Sequence, residues 1–358
     1  AGRVLAKLRS RYAIPDEAQV AVRVAALLHD IGHGPFSHVI ESVLGFHHED
    51  FTVQAVLSPE TTVGRLLQEY SPTLAADVAA IIRGDFRPRA LGQLVSSQLD
   101  VDRMDYLLRD SMMTGAKYGI YDLEWVIRSI EIDEEADHLY VAAPGKYAVE
   151  DYLQARYYMY RQVYFHRTLR SAEAVLRMLI KRAMALFATG DLNWRADGTA
   201  MERVLAGEKL DLKAHLELDD NDILYSIKRW RSSRDTILAD LAARFLDRRL
   251  FKALDLDMPE DERPAFVAAA RAVVQGAGFD AEHYFVEDEA GDASYSFYSK
   301  HSSDTKDLIF VEEGYSRPSI REISEVSPAV RGLQEGYRIH RICFPGEVKD
   351  AVLALYHA

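Results

Sequence analysis

The sequence contains one cysteine, Cys343, so no disulfide can form within the chain. Its neighbours Ile342 and Phe344 are apolar, which predicts a buried thiol in a reducing compartment. We therefore expect a cytoplasmic protein. No signal peptide and no apolar run long enough to cross a membrane is visible, so no membrane partner is expected, although a truncated start would hide a targeting segment.

Positive charge is also scarce. The 358 residues include 43 Lys and Arg against 56 Asp and Glu, which gives a formal net charge of −13. General nucleic-acid binders rely on a broad cationic surface, so this balance argues against such a partner. A polyanionic substrate would instead require a local basic cleft. The candidates for such a cleft are Arg103, Arg109, Arg156, Arg161 and Arg167.

The motifs of several enzyme classes are missing. There is no Gly-rich phosphate loop ending in Lys-Ser/Thr and no Gly-x-Ser-x-Gly elbow. His48-Glu49 is not followed by the second histidine that a zinc-protease helix requires. Several histidines have no supporting cluster, so packing or surface roles are expected for them: His47, His138, His215, His283, His301, His340 and His357.

Apolar spacing and turn residues predict a mostly helical chain up to about Leu254. Helices are expected near 1–11, 16–31, 49–57, 61–70, 74–83, 91–110, 122–130 and 147–187, and within 211–246. A hairpin is expected at 130–132 and 139–141, and a loop over 287–306. Strands at 284–286, 308–311 and 337–343 and helices at 264–275 and 345–356 predict an α+β module. The predicted fold is therefore mostly α, with a helical body over 1–254 that includes a small β-hairpin and an appended C-terminal α+β module over 255–358.

Four side chains that can bind metal or transfer protons lie within ten positions, 29–38. The apolar run Val20–Leu28 predicts a buried helix that ends in His29-Asp30, and burial of these groups requires a partner or a metal ion. His33 follows four residues after His29, on the same face while the helix persists. Gly32–Pro35 then breaks the helix and lets the backbone approach a ligand. Satisfied core histidines are the alternative, but the whole cluster favours chemistry.

A second cluster lies in Gln98–Asp110, which has helical periodicity on two faces. One stripe is apolar, with Val101, Met104, Leu108 and Met112. The other carries Asp102, Asp105, Tyr106 and Arg109, and we expect it to face inward, although an exposed lattice of ion pairs is the alternative. Oxygen from Asp30 and Asp102 with nitrogen from His29 forms a donor set that suits Mn, Mg, Fe, Zn or Ni.

The stretches LLHDIGHGPFSH and SSQLDVDRMDYLLRD together resemble the HD superfamily of metal-dependent phosphohydrolases. They look specifically like its deoxynucleoside triphosphate triphosphohydrolase branch, which includes the SAM-and-HD-domain hydrolases. The resemblance extends to about Leu254. It implies a helical fold and a divalent metal ion of unknown identity, held by His29, Asp30 and Asp102.

The same resemblance implies roles for further residues. Those that handle protons near the α-phosphate would be His33, His48 and Glu49, with Glu49 orienting His48. Those that contact phosphate or sugar would be His38, Arg103, Tyr106, Asp110, Arg156 and Tyr164. Arg103 occupies a family lysine position, which keeps the charge but changes the geometry. Tyr160 stands where the vertebrate relative has histidine.

The metal quartet of the family begins with a histidine upstream of the HD pair, and no histidine precedes His29 here. Ala1–Leu8 has apolar residues at helical spacing but no initiating Met and no capping residue, so it resembles the interior of a helix. We therefore expect an N-terminally truncated chain. A pseudoenzyme that has lost a ligand is the alternative.

These expectations combine into hydrolysis of deoxynucleoside triphosphates to deoxynucleoside and inorganic triphosphate. The enzymatic rival is an HD-type nucleotidase or phosphodiesterase, and the non-enzymatic rival is a metal-deficient nucleotide-binding sensor. By resemblance, a homo-oligomer is expected, either a dimer or a tetramer. The partner is then a nucleoside triphosphate substrate, with neither nucleic acid nor membrane.

Overall fold

The structure, a computed structural model, describes residues 1–292, 308–314, 318–333 and 337–357. The described residues form two compact units through which the chain passes more than once. The first unit comprises Ala1–Gly32, Glu49–Tyr164 and Asp292–Tyr337, and the second comprises His33–His48, Phe165–Gly291 and Arg338–Ala358. The division at Leu254 stays a prediction, and the second unit joins chain from both sides of it.

Helices dominate the described residues, as predicted. In chain order they are α1 (Gly2–Arg9), α2 (Asp16–Leu28), α3 (His38–Leu44), α4 (His48–Leu57), α5 (Thr62–Tyr70), α6 (Leu74–Arg83), α7 (Arg89–Gly92), α8 (Val101–Thr114), α9 (Leu123–Ser129), α10 (Lys146–Met159), α11 (Arg167–Thr189), α12 (Ala200–Leu205), α13 (Leu212–Glu217), α14 (Asp220–Trp230), α15 (Thr236–Leu246), α16 (Arg263–Gly276), α17 (Ala281–Tyr284), α18 (Ile323–Val326), α19 (Pro328–Leu333) and α20 (Lys349–Tyr356). No helix among them has the length and apolarity needed to cross a membrane.

Seven strands form two small sheets within the described residues. They are β1 (Ile130–Asp133), β2 (His138–Val141), β3 (Lys252–Asp255), β4 (Val286–Asp292), β5 (Phe310–Glu313), β6 (Ser319–Glu322) and β7 (Tyr337–Phe344). In the first unit the order is β1-β2-β5-β6, and in the second it is β3-β7-β4. The expected fold class, mostly α with a hairpin and a C-terminal α+β part, is therefore confirmed.

One predicted strand belongs elsewhere. The segment at 308–311 was expected in the C-terminal module, but β5 pairs in parallel with β2, with Tyr140 opposite Phe310. Ile309 and Val311 are buried in the core of the first unit, and this burial explains the pairing. The loop predicted from Glu287 is also wrong at its start, because β4 runs to Asp292. The rest of that loop, including His301, lies outside the described residues.

Two predicted helices are interrupted. The helix expected over 91–110 is two helices, because Asp100 caps α8 by accepting a hydrogen bond from the Arg103 amide at 2.8 Å. The helix expected over 147–187 is also divided. It continues from α10 into a π turn, Tyr160–Tyr164, after which His166 caps α11 through the Thr168 amide. Side-chain acceptors thus start new helices where apolar spacing alone suggests continuity.

The core of the first unit fixes the end of α2. Ala21, Val22 and Ala25 are fully buried, and α2 packs against α6, whose Val78 and Ile81 are buried as well. Because the apolar face of α2 packs against α6, the position of His29, the residue that follows α2, is defined.

Candidate active site and metal centre

His29 is the residue that ends α2, and its ring is oriented by the backbone. Its Nδ1 lies 3.3 Å from the carbonyl oxygen of Ala26. A carbonyl only accepts hydrogen bonds, so Nδ1 carries a proton; Nε2 carries one as well when it donates to Asp102, and would give it up to present its lone pair to a bound ion. Thr52, which is fully buried on α4, donates its hydroxyl to the His29 carbonyl and accepts from the Gly32 amide. The turn that carries His29 is therefore hydrogen-bonded to α4 as well as to α2.

Nε2 of His29 is the point at which the three predicted metal ligands meet. It lies 3.4 Å from an oxygen of Asp30 and 3.5 Å from an oxygen of Asp102. One imidazole nitrogen and two carboxylate oxygens form a donor set that divalent first-row metals and Mg accept. The bonded Nδ1 of His29 supplies the backing that metal-ligating histidines usually have. The chemistry of this donor set therefore suits a divalent ion.

The charges at this centre reinforce one another. The hydrogen bond with Asp102 raises the pKa of His29 above its ordinary value, although burial opposes the shift. Burial also acts against ionisation of Asp102, but the hydrogen bond and charge of His29, together with Arg103 and Arg109, hold the pKa of Asp102 below its ordinary value. Asp102 is therefore an anion, ready to balance a cation.

The polar stripe of α8 is only partly turned inward. Asp102 and Tyr106 are half-buried, whereas Asp105 and Arg109 form an ion pair with side chains 65% and 58% exposed. The inward orientation predicted for these two is therefore wrong. On the apolar stripe Met112 is 74% exposed, and Leu107 takes the buried position instead.

Fewer of the arginines predicted for the basic cleft are available for it than expected. Arg103 forms an ion pair with the buried Asp100 and donates to the carbonyl of Ser97 at 2.8 Å. Arg161 is exposed and donates to the Tyr157 hydroxyl. Arg167 belongs to the second unit, where it forms an ion pair with Asp255. In the first unit, Arg103 and the buried Arg156 remain the cations with the predicted phosphate role.

Aromatic side chains connect α8 to the end of α10. The hydroxyl of Tyr164 donates to Asp110 at 2.7 Å, and the hydroxyls of Tyr106 and Tyr160 lie 3.1 Å apart. Burial raises the pKa of both Tyr106 and Tyr164, so their phenols keep their protons. Arg156 is 3% exposed and donates to the side chain of Gln98. The predicted sugar-side residues Tyr164 and Asp110 are thus in direct contact, and Tyr160 lies against both Tyr106 and the phosphate-side Arg156.

The second unit holds a separate cluster of His33, His38, Glu41 and His48, with ligand atoms all within 4.8 Å of one another. The rings of His33 and His48 stack with centroids 3.7 Å apart, and His33 meets His38 edge-on at 4.9 Å. The backbone before α3 is strained, since Phe36 and Ser37 have φ values of 52° and 46°. The Phe36 amide is held by Asp220 at 2.8 Å.

Glu41 is the member of this cluster that sequence reasoning missed. One of its oxygens lies 2.8 Å from Nδ1 of His38, and the other lies 3.2 Å from Nδ1 of His48 and accepts from the His48 amide. Burial opposes its ionisation, but the bonds from both histidines hold the pKa of Glu41 below its ordinary value. The signal was the His38-x-x-Glu41 spacing, which places both side chains on one face of α3.

Glu49 was predicted to orient His48, and the carboxylate that contacts the His48 ring in the structure is that of Glu41. Glu49 belongs to the first unit, near the start of α4. There it is exposed and lines a cavity of about 260 Å³ with Asp50, Gln54 and Arg83. Its proposed role in proton handling stays a prediction. His47, for which no ligand role was expected, has a side chain that is 88% exposed.

Comparisons with known proteins agree with this chemistry. A family model described as the HD domain matches residues 2–110. The chain is 36% identical over 325 residues to YwfO of Bacillus subtilis, an uncharacterized protein, with 90% of this chain and 73% of YwfO covered. It is 30% identical over 176 residues to a deoxynucleoside triphosphate triphosphohydrolase SAMHD1 homolog of Dictyostelium discoideum, covering 46% of this chain and 33% of that protein.

A solved structure has a similar fold over nearly the whole chain. It is a phosphohydrolase of Bacteroides thetaiotaomicron, which superposes with a TM-score of 0.79 at 28% sequence identity and covers 96% of this chain and 84% of that one. The likeness includes the HD-matching segment and the C-terminal part.

Proposed function

Because the chain belongs to the HD superfamily of metal-dependent phosphohydrolases, we propose that it hydrolyses deoxynucleoside triphosphates to deoxynucleoside and inorganic triphosphate. The observation that carries the proposal is the order of side chains along α8. Asp102 meets His29, Arg103 follows as a cation, and Tyr106 and Asp110 lie one and two turns further. The residues proposed as metal ligand, phosphate cation and sugar contacts thus follow one another along α8 in the order that a nucleotide would require.

In this proposal His29, Asp30 and Asp102 hold a divalent ion, which when bound polarises the α-phosphate and lowers the pKa of a water molecule. Arg103 and Arg156 neutralise the polyphosphate and orient it. Tyr106 and Asp110 bind the sugar, and Tyr164, fixed by its bond to Asp110, lies along it.

Proton transfer is assigned by the family resemblance to His33 and His48, with His38 as a phosphate contact. The contacts inside the second unit support such a role for these imidazoles. Glu41 accepts from both His38 and His48, so each ring is held in one orientation with its Nδ1 proton directed at the carboxylate. A proton delivered to the 5′-oxygen would make the deoxynucleoside a better leaving group.

The test is hydrolysis in ¹⁸O-labelled water with Mn or Mg, using each deoxy- and ribonucleoside triphosphate separately and resolving the products by chromatography. Attack at the α-phosphorus breaks its bond to the 5′-oxygen, so the label should appear in inorganic triphosphate and not in the nucleoside. Stepwise release of single phosphates would favour the nucleotidase, and cleavage of phosphodiesters in preference to triphosphates would favour the phosphodiesterase. A protein that binds nucleotide, binds no metal and forms no ¹⁸O-labelled product would be the sensor.

Two expectations about the setting of this function are part of the proposal. A homo-oligomer should appear in light scattering coupled to size-exclusion chromatography as twice or four times the monomer mass. A reducing, cytoplasmic location agrees with the fully buried thiol of Cys343, whose pKa is raised by burial to about 12, which suits an unreactive core cysteine.

A further inference from the structure

Tyr160 contacts three of the residues to which the proposed function gives a substrate contact. Its hydroxyl lies 3.1 Å from the hydroxyl of Tyr106. Its ring packs edge-on against that of Tyr164, with centroids 5.0 Å apart. The guanidinium carbon of Arg156 lies 5.4 Å from the centre of the same ring, within the range of a cation–π interaction. One side chain therefore touches a sugar contact through its oxygen and a phosphate cation through its face.

The backbone around Tyr160 is also unusual. The α-helical pattern of α10 stops at Met159, and Tyr160–Tyr164 forms a π turn. Such turns are rare and occur often at functional sites. Tyr160 and Tyr164 are the first and last residues of this turn, so its geometry sets the distance between their rings.

The contacts around Tyr160 form a continuous path. Tyr164 donates to Asp110 on α8, and its ring also meets that of Tyr106 with centroids 5.9 Å apart. Tyr106 and Asp110 are one helical turn apart on α8. Tyr106 is paired with Tyr160, the first residue of the π turn, and Asp110 with Tyr164, the last. A shift of Tyr160 would therefore move Tyr106 and Tyr164 together, and would release the face that Arg156 covers.

We propose that Tyr160 is a positioning residue that couples binding of the phosphates to the choice of sugar. Its ring holds Arg156 and Tyr164, and its hydroxyl holds Tyr106, so that the sugar side accepts deoxyribose in preference to ribose. The inference rests on the proposed function, because it concerns the same nucleotide.

The central variant is Tyr160→Phe, which keeps the ring contacts with Arg156 and Tyr164 and removes the hydroxyl that lies 3.1 Å from that of Tyr106. We expect the ratio of kcat/KM for a deoxynucleoside triphosphate to that for its ribonucleotide to fall by about 5-fold, the effect of losing one hydrogen bond. KM for the deoxynucleotide should change by less than about 2-fold. Tyr160→Leu removes the ring as well, so KM should rise by about 10-fold, and the Phe variant should restore it.

Tyr158→Phe is the matched control, since it removes a phenol hydroxyl from the same helix. Tyr158 is 39% exposed and its ring lies near that of Tyr118. Its variant should keep the wild-type sugar ratio and KM. Melting temperatures of all variants, and calorimetric binding of α,β-imido analogues of the deoxy- and ribonucleotide, complete the experiment.

The outcomes separate the two proposals. If Tyr160 had only a structural role, its variants would have a lower melting temperature and equally reduced activity toward both sugars. An unchanged sugar ratio in folded Tyr160→Phe and Tyr160→Leu would overturn the inference about Tyr160 and leave the proposed function standing. A wild-type protein that neither binds nor cleaves any deoxynucleoside triphosphate would overturn the proposed function, and the role of Tyr160 with it.

Discussion

Asp102 and Asp105 lie one turn apart on α8 and differ in their surroundings. Asp102 is 31% exposed and contacts Nε2 of His29, whereas Asp105 is 65% exposed and pairs with Arg109 on the surface. We predict that Asp102→Asn loses bound metal and at least about 100-fold in turnover, because even partners behind the ligands of a metal cost 10- to 100-fold. The fold should persist, since the amide keeps the shape of the carboxylate.

Asp105→Asn is the matched control for this prediction and should keep both metal and turnover. Metal content by mass spectrometry, turnover and circular dichroism are measured on both variants. Full metal occupancy with normal turnover in Asp102→Asn would disprove the ligand assignment.

Glu41 restrains two imidazoles at once. Replacing it by Gln removes the negative charge and leaves one oxygen to serve both His38 and His48, so each ring loses part of its orientation. We predict that Glu41→Gln lowers kcat by about 10- to 100-fold. Metal bound by His29, Asp30 and Asp102 should be retained.

The control for Glu41 is Glu217→Gln, which changes a 57% exposed carboxylate of the same unit and should leave kcat unchanged. Turnover and metal content are measured for both variants and for the wild-type protein. If Glu41→Gln keeps wild-type turnover, the histidine cluster of the second unit has no part in proton transfer.

Tyr164 is expected to fill the space that a 2′-hydroxyl would occupy. Truncation to Leu should therefore raise relative activity toward ribonucleotides, within the ~10- to 200-fold that one small group in a pocket discriminates. Tyr164→Phe keeps the ring and loses only the bond to Asp110, so it should retain most of the discrimination. An unchanged deoxy-to-ribo ratio in a folded, metal-loaded Leu variant would mean that the ring serves only packing.

At the scale of the element, a half-buried ion pair joins α11 to the residue that caps α15. Arg182 donates to both oxygens of Asp235, and Asp235 also caps α15 through the Leu238 amide. The hydrogen bond from Arg182 holds the pKa of Asp235 below its ordinary value, although burial opposes it. A depressed carboxyl pKa gives stability that is present above the unfolded pKa, near 4, and is lost as pH falls through the folded pKa.

We therefore predict that Asp235→Asn lowers the free energy of unfolding by about 1 to 2 kcal/mol near neutral pH, since Asn still caps but forms weaker hydrogen bonds. The difference from wild type should shrink below pH about 4. Asp247→Asn is the comparison, because it breaks a more exposed pair with Arg231 and should cost less than about 1 kcal/mol. Urea unfolding across the pH range measures both losses. Equal losses in free energy of unfolding for the two variants near neutral pH would contradict the prediction.

Element positions were largely readable from the sequence where apolar spacing dominates. The helices near 49–57, 61–70 and 74–83 were predicted within a few residues, because each has buried apolar residues and is followed by a turn residue. The interruption before Val101 was missed because Asp100 acts through a side-chain bond to the backbone. The short α3 was missed because Gly34-Pro35 indicated only a break.

Only part of the candidate site could be predicted from the sequence. Asp102 was associated with His29 through motif resemblance, and the structure places their atoms together. The His38-x-x-Glu41 spacing alone did not single out Glu41, since one acidic residue on a short helix is usually solvated. The pairing of Tyr106 with Tyr160 joins residues far apart in the chain, and periodicity carries no such information.

At the scale of the whole molecule, each unit needs chain from beyond Leu254. The first unit buries Ile309, Val311 and Val330 in its core, and the second contains β4 and β7. We predict that a fragment ending at Leu254 does not unfold cooperatively, because β2 loses its neighbour β5 and β3 loses its neighbour β7. Thermal unfolding followed by circular dichroism measures this. A fragment with a sharp transition and bound metal would support an independent domain over 1–254.

The parallel pairing of Tyr140 with Phe310 sets an order of events during synthesis. Ribosomes add about 5 to 20 residues per second, so the partner of β2 emerges roughly 10 to 30 s after β2 itself. Over that time one edge of the hairpin presents unpaired amides and carbonyls to other nascent chains. The yield of native protein should therefore depend on chaperones that cover this edge, and on codon choice between the two strands.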